Sequence, residues 1–209
     1  MARPRKPIDI DRRGALMREA RSSFARLGYA GTSLSSVLRA SGFPRSSFYY
    51  FFDGKEALLD EAFADGLSRL AECAPPPDPG ALTAETFWPR LFGFVDALAE
   101  AGTDPDLAAT ARLFHMPDAP ASARRASFER GARRWCAEVV RAGRRLGALD
   151  EELPEELHAE LVWAVAAALD RWMASRADGH ADSRTLVRAV MARLLGAPGA
   201  PRSGSPPNS

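Results

Sequence analysis

Apolar residues recur along this chain at steps of three and four, the spacing of amphipathic helices, and no stretch alternates as a strand would. Over residues 9–27 the stripe is Leu16, Ala20, Phe24 and Leu27, with Arg12, Arg13, Arg18, Arg21 and Arg26 elsewhere around the helix and Gly28 as its stop. Thr32 is the expected cap of a short second helix that turns Leu34, Val37 and Leu38 inward and ends at Gly42. Pro44 suits the first position of a third short helix with Phe48, Phe51 and Phe52 inward. Asp53 then opens a fourth, with Glu56 completing a capping box. The fourth helix, with Ala57, Leu58, Ala62, Phe63, Leu67 and Leu70 on its apolar face, runs to a Pro-rich break at 73–80.

Helical periodicity resumes after the break. Phe87, Leu91, Phe94, Val95 and Leu98 mark one stripe. Asp104-Pro105 caps and starts a helix that runs to Met116-Pro117, and Phe128, Ala132, Trp135, Val139 and Leu146 mark another. Residues 154–175 differ, because Leu157, Leu161, Val162, Val165, Leu169, Trp172 and Met173 surround the helix nearly completely. Such a helix needs cover on two sides. Leu186, Val187, Val190, Met191, Leu194 and Leu195 form a last helix, and the tail from 197 has a disordered composition. The pattern therefore predicts an all-α chain: an N-terminal three-helix domain with a basic arm at 1–60, a helical bundle at 61–196, and a tail at 197–209.

Composition supports a packed protein, with 46% hydrophobic and 26% charged residues in 209. No apolar run is long enough for a membrane span and the N-terminus lacks the apolar core of a signal peptide, so a cytoplasmic location without membrane contact is expected. Cys73 and Cys136 are far apart and make no metal-ligand pair; buried free thiols are expected. The net charge of +1 hides an asymmetry, since residues 1–60 carry 11 Lys+Arg against 6 Asp+Glu while the remainder carries 17 against 21. The first part is the candidate for a polyanionic partner.

Two short helices joined by a Gly-containing turn behind a longer packing helix follow the helix-turn-helix plan, in which the second short helix enters the major groove of DNA. The inward aromatics of 44–52 leave Arg45, Ser46, Ser47, Tyr49 and Tyr50 on the outer surface, a set of donors and flat rings. The same spacing also fits a small three-helix unit whose tyrosines merely pack on neighbours. Lys55 favours DNA, because a cation in the first turn of a helix is poorly placed against the dipole unless an anion joins it there, and free N–H groups invite a phosphate. Thr32 offers a second helix N-terminus with a hydroxyl. The basic arm, Arg3, Arg5 and Lys6, either reaches a minor groove or adds nonspecific attraction.

The segment GYAGTSLSSVLRASGFPRSSFYYFFDGKEALL, residues 28–59, resembles the helix-turn-helix signature of the TetR family of bacterial repressors. The resemblance implies a dimer in which the fourth helix links the reading head to a ligand-binding bundle. It further implies that Thr32 and Ser33 meet phosphate, that Arg45, Ser47 and Tyr50 face base edges, and that Tyr49 and Lys55 hold the backbone. Pro44 and Ser46 depart from the family's usual serine and small residue, which alters the cap of the third helix; Phe51 reads as core.

All four tryptophans lie beyond the break. Aromatics at helical spacing form plain core or line a mostly apolar small-molecule pocket, and the resemblance implies the latter. The candidate inducer-lining residues are Trp88, Phe92, Phe114, His115, Met116, Trp135 and Trp163, with His115 and Met116 at a helix end where a contact could shift the frame. Residues 154–175 and 184–195 are the expected homodimer face. The arginines of the preceding helix read as a solvated face paired with Glu129, Glu138 and the acidic stretch 150–152. His115, His158 and His180 are too scattered for a metal. No phosphate-cradling loop, nucleophile elbow or Ser/His/Asp grouping is visible, so neither a cofactor nor enzyme activity is expected. The competing reading is an all-helical small-molecule binding protein or enzyme whose first helices are only structural.

Overall fold

A computed structural model describes residues 9–175 and 185–191. Expectations for the arm (Arg3, Arg5, Lys6), for His180, for Leu194 and Leu195 and for the tail fall outside them. The described residues are helical without strands, as the periodicity predicts: α1 Ile10–Gly31, α2 Leu34–Ala40, α3 Arg45–Phe51, α4 Lys55–Cys73, α5 Phe87–Ala101, α6 Pro105–Phe114, α7 Ala123–Arg145 and α8 Glu155–Ala174. Residues 185–191 are helical as well. Contacts divide the chain into two compact units, one of residues 1–72 with 102–127 and one of 73–101 with 128–209. A boundary at residue 60 is therefore not where the packing divides: all but the last residue of α4, together with α6, belongs with the N-terminal helices.

In the first unit, Leu16, Met17, Ala20 and Phe24 of α1 meet Val37, Leu38, Phe48, Leu58, Leu59 and Phe63, and α6 closes the core with Leu113. Asp104 starts α6 as expected, its carboxylate accepting from the Asp106 N–H at 2.8 Å with Pro105 behind it. Leu27, expected inward, is exposed. Its place in the core-facing stripe ends early because Gly28, at φ +71°, breaks the helix before a last turn at 29–31.

Arg21, expected on the outside, is fully buried. It lies four residues after Met17 and three before Phe24, on the face that enters the core. Its guanidinium donates through Nε and Nη2 to Asp106 at 2.8 and 2.7 Å, and through Nη1 to Asp65 at 2.7 Å and the Ala62 carbonyl at 3.2 Å. Burial on its own would lower the Arg21 pKa, but the hydrogen bonds to Asp106 and Asp65 outweigh it and hold the group above its ordinary value. Asp106 answers in kind: burial opposes its charge, yet Arg21 and then Arg69 pull its carboxyl below the usual range. Arg13 extends the network to Asp65 at 2.8 Å and Glu61 at 3.3 Å. One buried cation thus ties α1, α4 and α6 together.

In the second unit, α5 and α7 pack Phe87, Trp88 and Leu91 against Val139 and Val140, with Leu82 and Leu149 closing the cluster. At Gly143 the packing is so close that a Cβ would stand 2.6 Å from Phe87 Cζ and 2.7 Å from Leu149 Cδ1. Most apolar side chains of α8 are half-buried or exposed, with Leu157 at 48% and Leu161 at 43%, and His158 is its only buried residue. The arginine face of α7 finds the expected Glu129, which serves Arg133, and two carboxylates of α8 that were not expected, Glu160 on Arg133 and Glu155 on Arg141.

Candidate nucleic-acid interface

Helices α2 and α3 are joined by a turn in which Gly42 adopts φ +64° and the Phe43 N–H returns to the Leu38 carbonyl at 3.0 Å. Val37, Leu38, Phe43 and Phe48 anchor both helices in the core. The outer surface of α3 is left to Arg45, Ser46, Tyr49 and Tyr50, all exposed, and to the half-buried Ser47. Tyr49 and Tyr50 keep 52% and 47% of their area in solvent. Each ring is propped edge-on by its neighbour, Tyr49 by Phe48 and Tyr50 by Phe51, which holds the hydroxyls outward. Arg45 bridges the two helices, donating to Ser35 Oγ at 3.1 Å and lying 5.7 Å from the Tyr49 ring centre. Pro44 serves as N-cap of α3 rather than as its first residue. Phe51 is half-buried against the core.

Thr32 does not cap α2; that position belongs to Ser33, whose side chain makes no cap bond. Thr32 is 3% exposed and its hydroxyl is spent inside the unit, directed at the Gly28 carbonyl at 2.7 Å and the Ser23 carbonyl at 3.2 Å. The broken end of α1 leaves carbonyls that need a donor, and Thr32 supplies it. The hydroxyl that remains for a phosphate here is that of exposed Ser33. Arg39, also exposed on α2, was not among the sequence candidates; nothing in its spacing separates it from an ordinary solvated arginine.

The ladder of α4 begins on the Gly54 carbonyl, which accepts from Leu58 N at 3.1 Å, and Gly54 has φ +105°. Gly54 therefore opens the helix, and Asp53 stands one residue outside the expected capping box. Lys55 sits in the first turn as predicted, but its ammonium reaches back across the head to the carbonyls of Tyr29 at 2.7 Å and Thr32 at 3.1 Å, over the Tyr29 ring at 4.1 Å. An ammonium has three donors. Two are committed to the turn ahead of α2, leaving one for a phosphate.

The seven candidate ligand residues are shared between the units. Trp88 stacks on Phe92 at 5.6 Å, Trp135 meets Phe94 edge-on at 5.4 Å and donates to the Pro77 carbonyl at 3.0 Å, and Trp163 lies beneath the Arg133 guanidinium at 5.0 Å. These belong to the second unit. Phe114 stacks on Phe63 at 6.1 Å, His115 touches Phe114, and Met116 packs on the first core. Two clefts of about 400 and 340 Å³ lie in the first unit, and neither is lined by any of the seven. No described helix is long and apolar enough to cross a membrane, and no group of described acidic, His or Cys residues could hold a metal.

Residues 16–62 match the family of bacterial regulatory proteins described as tetR. Over 67 residues the chain is 31% identical to an uncharacterized HTH-type transcriptional regulator, YhgD of Bacillus subtilis strain 168, covering 32% of this chain and 35% of that protein. A second B. subtilis regulator of the same description, YdgC, is 31% identical over 65 residues. The match thus spans about a third of the length of these relatives. In fold the likeness is wider. A putative tetR family regulator from Shewanella sp. PV-4 superposes with a TM-score of 0.65 at 20% identity, over 88% of this chain and 97% of that one. The ketosteroid regulator KstR2 of Mycobacterium tuberculosis gives 0.66 at 21%, over 90% and 95%.

Proposed function

We propose that the chain, whose residues 16–62 match the tetR family of bacterial regulatory proteins, is a cytoplasmic transcriptional regulator of that family. It acts as a repressor that binds a near-palindromic operator as a homodimer and is released by a small, mostly apolar or aromatic inducer. The observation that carries this reading is the outer face of α3, where Arg45, Tyr49 and Tyr50 stand in solvent with their rings propped from behind. Arg45 and Tyr50 read base edges, with Ser46 and Ser47 beside them. Tyr49, Ser33 and the remaining donor of Lys55 hold the phosphates.

A dimer supplies two such heads about 34–36 Å apart, one helical turn of DNA. Residues 154–175 and 184–195 form its interface, a role supported by the exposed Leu157, Leu161 and Trp172 of α8 and by Leu186. The inducer binds among the aromatics of the second unit, Trp88, Phe92, Trp135 and Trp163, and lowers operator affinity through a coupling on the order of 1–3 kcal/mol.

Selection from a random duplex library at physiological salt is the test. Enrichment of a two-fold symmetric site is expected, and Arg45→Ala or Tyr50→Phe should change which bases are preferred. Folded, ligand-free protein that enriches no sequence would overturn the reading.

A further inference from the structure

The turn that precedes α2 is gripped from two sides. Gly28 breaks α1, so the N–H groups of Tyr29 and Ala30 begin a new turn without partners in the helix behind them. Asp118, in the segment between α6 and α7, fills that role: its Oδ2 accepts from Ala30 N at 2.8 Å. Hydrogen bonds from Ala30 and then Tyr29 hold the Asp118 carboxyl below its ordinary range. The fit is close, since a Cβ at Gly28 would stand 3.0 Å from Asp118 Oδ2. On the other side, Lys55 holds the carbonyls of Tyr29 and Thr32. The amides of one short turn are thus fixed by an anion, and its carbonyls by a cation. The next residue is Ser33, the N-cap of α2.

We propose that Asp118 is a positioning residue for DNA contact, through which the segment after α6 sets the turn that aims Ser33 and α2 at the duplex. The inference rests on the DNA-binding reading of the first unit. It carries a sign that separates it from simple electrostatics. Asp118 is an anion within the field of Lys55, so deleting its charge would by Coulomb attraction alone tighten the hold on phosphates. Positioning demands the opposite when the acceptor is lost as well.

Asp118→Asn keeps a carbonyl acceptor for the two amides and removes the charge; Asp118→Ala removes both. With full-length protein on the duplex selected above, D118N is expected to bind at least as tightly as the unsubstituted chain. D118A is expected to bind about tenfold more weakly, the equivalent of one hydrogen bond to a charged group. Amide exchange gives a readout that needs no DNA: Tyr29 and Ala30 should exchange faster in D118A and stay protected in D118N. Equal or tighter binding by D118A overturns the positioning role, as does unchanged exchange at Ala30. Failure of the unsubstituted protein to bind any duplex instead overturns the functional reading, and the exchange result still decides whether Asp118 holds the turn.

Discussion

The two units solve the problem of a helical core in opposite ways. In the first, helices α1 to α4 and α6 close around Phe24, Phe48 and Phe63, and the one large polar group that enters, Arg21, has carboxylates on two neighbouring helices. In the second, α5 and α7 make a tight seam at Gly143, while α8 leaves Leu157, Leu161 and Trp172 partly in solvent. A monomeric protein seldom leaves such a stripe uncovered. The first unit buries its apolar faces within one chain; the second is the one on which the proposed dimer rests.

Spectroscopy can examine the two separately, because all three tyrosines lie in the first unit and all four tryptophans in the second. The largest effect is expected from Arg21→Ala, which strands Asp65 and Asp106: a loss of about 3–5 kcal/mol, read from fluorotyrosine resonances, with tryptophan emission melting after the tyrosine signal. Gly143→Ala should do the reverse, costing about 1–3 kcal/mol through overpacking against Phe87 and Leu149 and moving the tryptophan transition first. A common shift of both signals in either variant would mean that the units unfold as one.

Acid should weaken the first unit more than the second. The Asp106 pKa is depressed in the folded state, so its contribution is complete above the ordinary carboxylate value of about 3.9 and disappears as pH falls through the lower folded value. Asp106→Asn should flatten the fall of the tyrosine-reported midpoint below pH 5. The smallest effect on the fold itself is expected from Leu157→Glu with Leu161→Glu: within about 0.5 kcal/mol per site for a monomer's own stability, as for other surface changes. Sedimentation should nonetheless show loss of dimer, and unchanged mass would remove α8 from the interface.

The helices were legible because their apolar spacing is regular and their punctuation local: Asp104-Pro105, Gly28 and Gly42 each act within a residue or two of where they stand. The outer set of α3 was legible for the same reason, since inward Phe48 dictates what points out. Arg21 was not, although its register with Met17 and Phe24 was available. A charged residue is read as surface until a partner is known, and Asp106 stands 85 residues away. Thr32 and Lys55 stand out in the sequence, but the carbonyls they serve inside the unit do not, because the end of a broken helix leaves no mark there. Asp118 carried no signal at all; its partners are backbone amides created by the kink at Gly28.

The first unit is assembled from two stretches of chain with α5 between them, which matters for how the protein is made. Residues 1–72 leave the ribosome without Leu113 for their core and without Asp106 for Arg21. At about 5–20 residues per second, the wait for residue 127 is on the order of 3–11 s. A nascent head in that interval exposes apolar surface and a cation meant for burial, so the N-terminal fragment alone is a poor choice for a minimal DNA-binding protein. On the proposed reading, its competence to bind DNA would begin only when the chain has returned to it.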